Sequence, residues 1–197
     1  MAQTRDNRTI SQFKSRLLGG GARPNLFEVE LTTLPASVTF PWQAERFGFL
    51  CKAANMPAMT IANIDVPFRG RIFKVAGDRT IENWSITIIN DEDFLFRNAF
   101  EEWTQQIAAL DDNMGSTNPA SYMVNAKVYQ LGRGSTQASV NNGGSTNVVL
   151  KEYEFIDIFP VSVGSIDLSY DSTDTIEEYT VEFAVQSYNV TGAGTEG

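Results

Sequence analysis

Among the residues of the chain, four glutamates come closest to a catalytic pattern. Glu152 and Glu154 alternate with Tyr153 and Phe155, while Glu178 and Glu182 alternate with Tyr179, Val181 and Phe183. Two carboxylates at a set separation suffice for glycoside hydrolysis without a histidine, one as acid and the other as base or nucleophile. The same alternation is what any half-exposed strand shows, with acids in water and rings in the core, and that plainer reading is the stronger. Other chemistries lack their residues. The chain has no histidine, which removes Ser-His-Asp and Cys-His nucleophile systems, histidine-ligated zinc or haem, and an imidazole pH switch. The single cysteine, Cys51, lies in the apolar run FGFLCKAA and is expected to be buried and inert. Gly192, Gly194 and Gly197 match G-x-G-x-x-G but precede no helix that could hold a pyrophosphate. Asp111, Asp112 and Asn113 begin like a calcium loop but lack its later acids. No metal, cofactor or catalytic residue is expected.

The elements that must position these side chains are mostly strands. With 197 residues, 42% hydrophobic, 11% aromatic and 20% charged, the composition is that of a folded domain. A net charge of −9 works against tight binding of nucleic-acid phosphates. No apolar run approaches the ~20 residues of a membrane-spanning helix, and the polar, basic N-terminus lacks the apolar centre of a secretory signal, so a soluble protein with no membrane partner is expected. Residues 1–24 read as a flexible arm ending in Gly19, Gly20 and Gly21. A single domain over 25–190 follows, with a disordered tail at 191–197.

Within that domain, LFEVELT (26–32), RFGFLCKA (46–53), TIENWSITIIN (80–90), SYMVNAKVYQL (121–131), VVLKEYEFIDIFP (148–160), SIDLSY (165–170) and TIEEYTVEFAVQSY (175–188) read as strands. Residues 58–75 read as a long exposed hairpin turning near Phe68, Arg69 and Gly70, followed by a turn at AGD (76–78). One helix is expected over about 91–110. Asn90 or Asp91 would cap it, and Phe96, Phe100, Trp103, Ile107 and Leu110 would form one apolar stripe. DDNMGSTNPA (111–120) and the Gly/Ser/Asn-rich 132–147 read as loops, the latter flexible. The fold class is therefore mainly β, an antiparallel sandwich or barrel with one packed α-helix.

Several long segments in a fixed order resemble the tail tube proteins of contractile-tailed, T-even-like bacteriophages. They are ARPNLFEVE (22–30), LCKAANMPA (50–58), VPFRGRIFKVAGDRT (66–80), NWSITIINDED (83–93), RNAFEEW (97–103) and GSIDLSYDSTDTIEEYTVEFAV (164–185). The resemblance implies a tail-tube-like fold, also found in type VI secretion tubes. It further implies a structural, non-enzymatic subunit of the virion tail, made in the host cytoplasm, whose copies join into hexameric rings and stack into a tube. Sheath, baseplate tube initiator, tape measure and tail terminator are its implied partners, and DNA transits without specific binding. A tube subunit of a phage-derived injection system is the neighbouring alternative; a carbohydrate-binding or hydrolase sandwich is the alternative from another class. Phe68, Arg69, Gly70 and Arg71, at the hairpin tip, are the expected self-contact. Glu152, Glu154, Glu178 and Glu182 are the expected acidic lining of the lumen, where like charge would keep phosphates from sticking. The arm and the two loops are expected to interlock rings.

Overall fold

The computed structural model describes residues 9–17, 21–133 and 148–192. Gly19 and Gly20, most of the 132–147 loop and the tail beyond Gly192 lie outside the described residues. In chain order the elements are α1 (Ile10–Arg16), β1 (Phe27–Glu30), α2 (Ala44–Leu50), β2 (Cys51–Ala54), β3 (Met59–Phe68), β4 (Arg71–Ile81), β5 (Trp84–Ile89), α3 (Leu95–Ile107), β6 (Val124–Leu131), β7 (Val149–Val163), β8 (Glu178–Ala184) and β9 (Ser187–Gly192). A 3-10 turn, Pro119–Ser121, precedes β6. Seven strands pair in the order β1-β6-β7-β8-β5-β2 with β9 also on β7, whereas β3 and β4 form a separate two-stranded sheet. The chain is mainly antiparallel β with a packed helix.

Two compact units can be distinguished. The first holds the described residues up to Glu28, those of 129–152, and the end of β9; the second holds Val29–Val128 and Tyr153–Val190. In the first, α1 forms within the stretch read as an arm. Thr9 and Gln12 make a reciprocal capping box, and Lys14 and Arg16 sit favourably in the last turn. Ile10 and Phe13 remain exposed on it. Gln130 ties the chain before β1 by donating to the carbonyls of Arg23 and Leu26 at 2.7 and 2.9 Å.

The second unit holds the aromatic core. Trp84, Ile86 and Ile88 are buried at every other position of β5, and across from it Phe183, Val181 and Tyr179 of β8 stand in register. The helix α3 lays Phe96, Ala99, Phe100 and Trp103 onto this layer, with Phe100 and Trp103 at 5.9 and 6.0 Å from the Phe183 ring. Trp42 completes the cluster at 5.1 Å from Phe96, its indole N–H donating to the Leu31 carbonyl at 2.6 Å.

Four local expectations are corrected. Residues 46–50 are helical, not a strand: Phe47 is fully buried and Phe49 is 81% exposed, whereas a strand would turn both to one side. The AGD triplet is no turn but a bulge inside β4, where Gly77 and Asp78 together oppose Ala62. SIDLSY is an irregular loop in which Leu168 and Tyr170 are exposed. The last strand is broken between Ala184 and Ser187 into β8 and β9.

The start of α3 differs as well. Asn90 and Asp91 do not cap it; the N-cap is Phe94, whose left-handed backbone offers no side-chain oxygen. Asp93 takes the role by accepting the Leu95 N–H at 3.1 Å. Arg46 of α2 grips Asp93 at 2.6 Å and also pairs with Asp91, and these hydrogen bonds hold both carboxyls below their ordinary range. At the other end, the helix stops at Ile107, and Leu110 is exposed beyond it. Glu102 anchors the segment before α2. Burial pushes its carboxyl up, but hydrogen bonds from Thr39 and Phe40 at 2.7–3.2 Å outweigh that and lower it.

Two measurements check these assignments. Phe47→Ala should lower unfolding stability in urea by about 3–5 kcal/mol and Phe49→Ala by less than about 0.5 kcal/mol; equal losses would favour a strand. The second concerns acid. Depressed folded carboxyl values mean that the Arg46 contacts contribute fully above the unfolded Asp value of about 3.9, and that the contribution is lost as pH falls through the lower folded values. The urea-midpoint gap between wild type and Arg46→Leu should therefore hold between about pH 7 and 5 and close toward about pH 2. A gap unchanged at low pH would sink this account.

Candidate functional site

The residues predicted to meet a neighbour lie where the chain is least used by its own core. Antiparallel pairing runs from Met59 opposite Ile81 to Phe68 opposite Arg71. Arg69 and Gly70 join the strands with φ of 46° and 77°. Two successive positive φ values are those of a type I′ turn, whose twist suits a hairpin. Glycine takes such a φ without cost, and Arg69 takes it against the usual steric preference of a residue with a Cβ. Its guanidinium stacks over the Phe68 ring at 5.3 Å. Phe68, Arg69, Gly70 and Arg71 are thus brought together at one projecting end.

Neither face of this hairpin is covered. Register places Ile64, Val66 and Phe68 with Phe73 and Val75 on one face, all of them at least 41% exposed. On the other face Met59, Ile61 and Ile72 accompany the Asp65–Lys74 ion pair at 2.9 Å. A two-stranded hairpin is marginal in water by itself, and a contiguous apolar face of this kind marks an interaction site. Sequence reading found the turn and the tip but did not single out the apolar face, which lies wholly on the tip side of the bulge at Gly77 and Asp78. The signal was present: Ile64, Val66 and Phe68 alternate with Asp65 and Pro67.

The four glutamates stand on the strand faces turned away from the core. Glu178 and Glu182 flank Thr180 on β8, and Glu182 lies opposite Ser85 and Glu178 opposite Ile89 on β5. Lys52 Nζ reaches Glu178 at 2.5 Å, and Lys127 Nζ lies 3.9 Å from Glu154. Glu152 and Glu154 are half-buried, Glu178 and Glu182 exposed. Thr87 and Thr180 hydroxyls approach to 3.4 Å between Glu178 and Glu182, whereas Glu152 and Glu154 precede the part of β7 that pairs with β8, from Phe159 to Val163, so the four are not brought into one cluster.

Chemistry is poorly served elsewhere among the described residues. No group of three or more His, Cys, Asp or Glu side chains could hold a metal ion. No helix is long and apolar enough to cross a membrane. Cys51 is buried, and burial pushes its thiol up to about 12, where it is no nucleophile. Trp84 and Trp103 are fully buried and Trp42 is engaged in the core, so none offers a platform for stacking a sugar.

Comparison with known proteins agrees with this surface-dominated picture. The model of a family described as phage tail tube protein matches residues 22–191. The tail tube protein gp19 of Enterobacteria phage T4 is 34% identical over 167 residues, covering 85% of this chain and 90% of its own. The tail tube protein of Serratia phage KSP90 is 24% identical over 176 residues, covering 88% of this chain and 92% of its own. Among solved structures, a chain of the six-fold symmetrised baseplate of the anti-feeding prophage shares the fold with a TM-score of 0.61 at 13% identity, covering 88% of this chain and 97% of that one. On the length of the family match and the identity to the T4 protein, the chain belongs to the phage tail tube protein family.

Proposed function

We propose that this subunit closes with copies of itself into six-membered rings, which stack into a hollow tube inside a contractile sheath and conduct DNA without binding it. The observation that carries this reading is the bare hairpin. Five large apolar side chains on one face of a two-stranded sheet are exposed among the described residues, and their burial against another copy would supply about 25 cal/mol for each Å² removed from water. A contact between two different patches on identical copies repeats around a ring or along a filament. Six is the symmetry given for the baseplate whose chain shares this fold.

The acidic strand face fits the bore. At −9 per subunit, each ring would carry six times that charge, and acids interleaved with hydroxyls would repel phosphates and leave DNA free to slide. Glu152, Glu154, Glu178 and Glu182 are the proposed lining. The helix α1, with its exposed Ile10 and Phe13, is proposed to seat on a neighbour when rings stack. No catalytic role is assigned to any residue. Sheath, tube initiator, tape measure and terminator are the proposed partners of the assembled tube.

Two experiments test the reading. In the variant Ile64→Glu with Phe73→Glu, the subunit should keep its far-ultraviolet circular dichroism but no longer form rings or tubes in negative-stain electron microscopy; normal tubes would overturn the hairpin assignment. For the lining, changing Glu178 and Glu182 to Lys should leave tubes intact and make them retain double-stranded DNA at low salt, with retention lost as salt rises above about 0.2 M. Tubes that ignore DNA in both forms would place these acids elsewhere.

A further inference from the structure

The hairpin is a basic object on an acidic chain. Between residues 59 and 81 it carries Arg69, Arg71, Lys74 and Arg79 against Asp65 and Asp78. Asp65 is matched to Lys74. Arg69 and Arg71 are exposed and, among the described residues, meet no carboxylate. They flank Phe68, which is 65% exposed. A partner surface must therefore offer acids around an apolar seat.

Among the described residues, the irregular loop between β7 and β8 has that chemistry. Residues 164–178 hold Asp167, Asp171, Asp174, Glu177 and Glu178 and no Lys or Arg. Glu178 is committed to Lys52 and Glu177 to the Asn90 amide, whereas Asp167, Asp171 and Asp174 are exposed and free of cations among the described residues. Leu168, Tyr170 and Ile176 also stand in solvent. Ile166, Leu168 and Ile176 line a recess of about 330 Å³ together with Asp167 and Glu177, at the lower end of the ~300–1,000 Å³ in which ligand groups are buried. The loop is held at both ends. Gly164 donates to the Thr180 carbonyl at 2.7 Å, its own carbonyl accepts from Arg97 at 2.6 Å, and Asn90 donates to the Glu177 carbonyl at 2.8 Å. A Cβ at Gly164 would lie 2.8 Å from the Thr180 carbonyl oxygen, so this tether requires glycine.

We infer that the β7–β8 loop of one copy is the seat for the hairpin tip of another: Phe68 enters the recess beside Leu168 and Ile176, and Arg69 and Arg71 pair with Asp167 and Asp171. The inference rests on reading the hairpin as a self-contact and names the surface it meets. Apolar burial supplies affinity, and opposite charges around it fix which surface the tip accepts. The loop sets three cation-free carboxylates beside exposed apolar side chains, against two, Asp111 and Asp112, beside Leu110 and Met114.

Charge exchange tests it. Arg69→Glu with Arg71→Glu, and separately Asp167→Arg with Asp171→Arg, should each raise the protein concentration needed for half-maximal assembly by about tenfold or more, as expected for close interfacial charges. With both pairs changed in one chain, every tip again meets a loop of opposite charge, and assembly should return to within about threefold of wild type. A second probe needs no change of charge. With Phe68→Cys and Leu168→Cys in one chain, oxidation of assembled protein should give a ladder of disulfide-linked multimers, and each single variant only dimers or monomers; buried Cys51 contributes little background. If the hairpin variant is impaired while the loop variant assembles normally, or the combined charges fail to rescue and no ladder forms, the loop is not the seat although the hairpin remains a contact. If the hairpin variant itself assembles as wild type, the underlying reading fails with it.

Discussion

Phe100 contacts both parts of the aromatic cluster that fixes the second unit. Its ring lies 5.9 Å from Trp42 and 6.2 Å from Phe47, and 6.3 Å from Trp103 and 5.9 Å from Phe183. Through these contacts α3 joins the segment before α2 to the β5–β8 layer. Side chains of this size bury more apolar area than any aliphatic residue, and together they consume the helix-facing side of the sheet. Arg46 then fixes the turn before the helix, and Glu102, within it, holds Thr39 and Phe40.

What the cluster leaves out explains the surface. With one side of β5 and β8 dry, the other carries Ser85, Thr87, Glu178, Thr180 and Glu182, the polar half of an alternating pattern. The hairpin has no such dry side within the subunit. Its strands pair only with each other, so the apolar residues that would elsewhere form a core remain in solvent until something covers them. A stable interior and an unsatisfied projection thus come from the same chain, and the separation suits a protein whose work is to be one repeat of a wall.

Much of this was legible in the residues. Strict alternation in WSITII and EYTVEFA specified buried strands, and Phe96, Phe100 and Trp103 specified the packed face of α3. The misreadings share a cause. In RFGFL two phenylalanines two apart imitate a strand, and only the tertiary demand to bury Phe47 and free Arg46 for Asp91 and Asp93 decides for a helix. In SIDLSY the alternation is equally good, but Leu168 and Tyr170 find no layer to pack against. Local pattern records which side chains could share a face; whether a face exists to receive them depends on distant residues. The tip was visible because Arg-Gly between apolar runs carries its own turn geometry, whereas its docking loop has no local signature.

The resolved shifts in acidity have a shared direction. Asp91, Asp93 and Glu102 move down, and Cys51, Tyr179 and Arg46 move up, each away from neutrality. The sequence has no histidine, the side chain whose ordinary value lies between about pH 5 and 8. A wall built from it has no imidazole through which acidity could act on its assembly, whereas the exposed apolar hairpin makes contact with another surface a cue it can register.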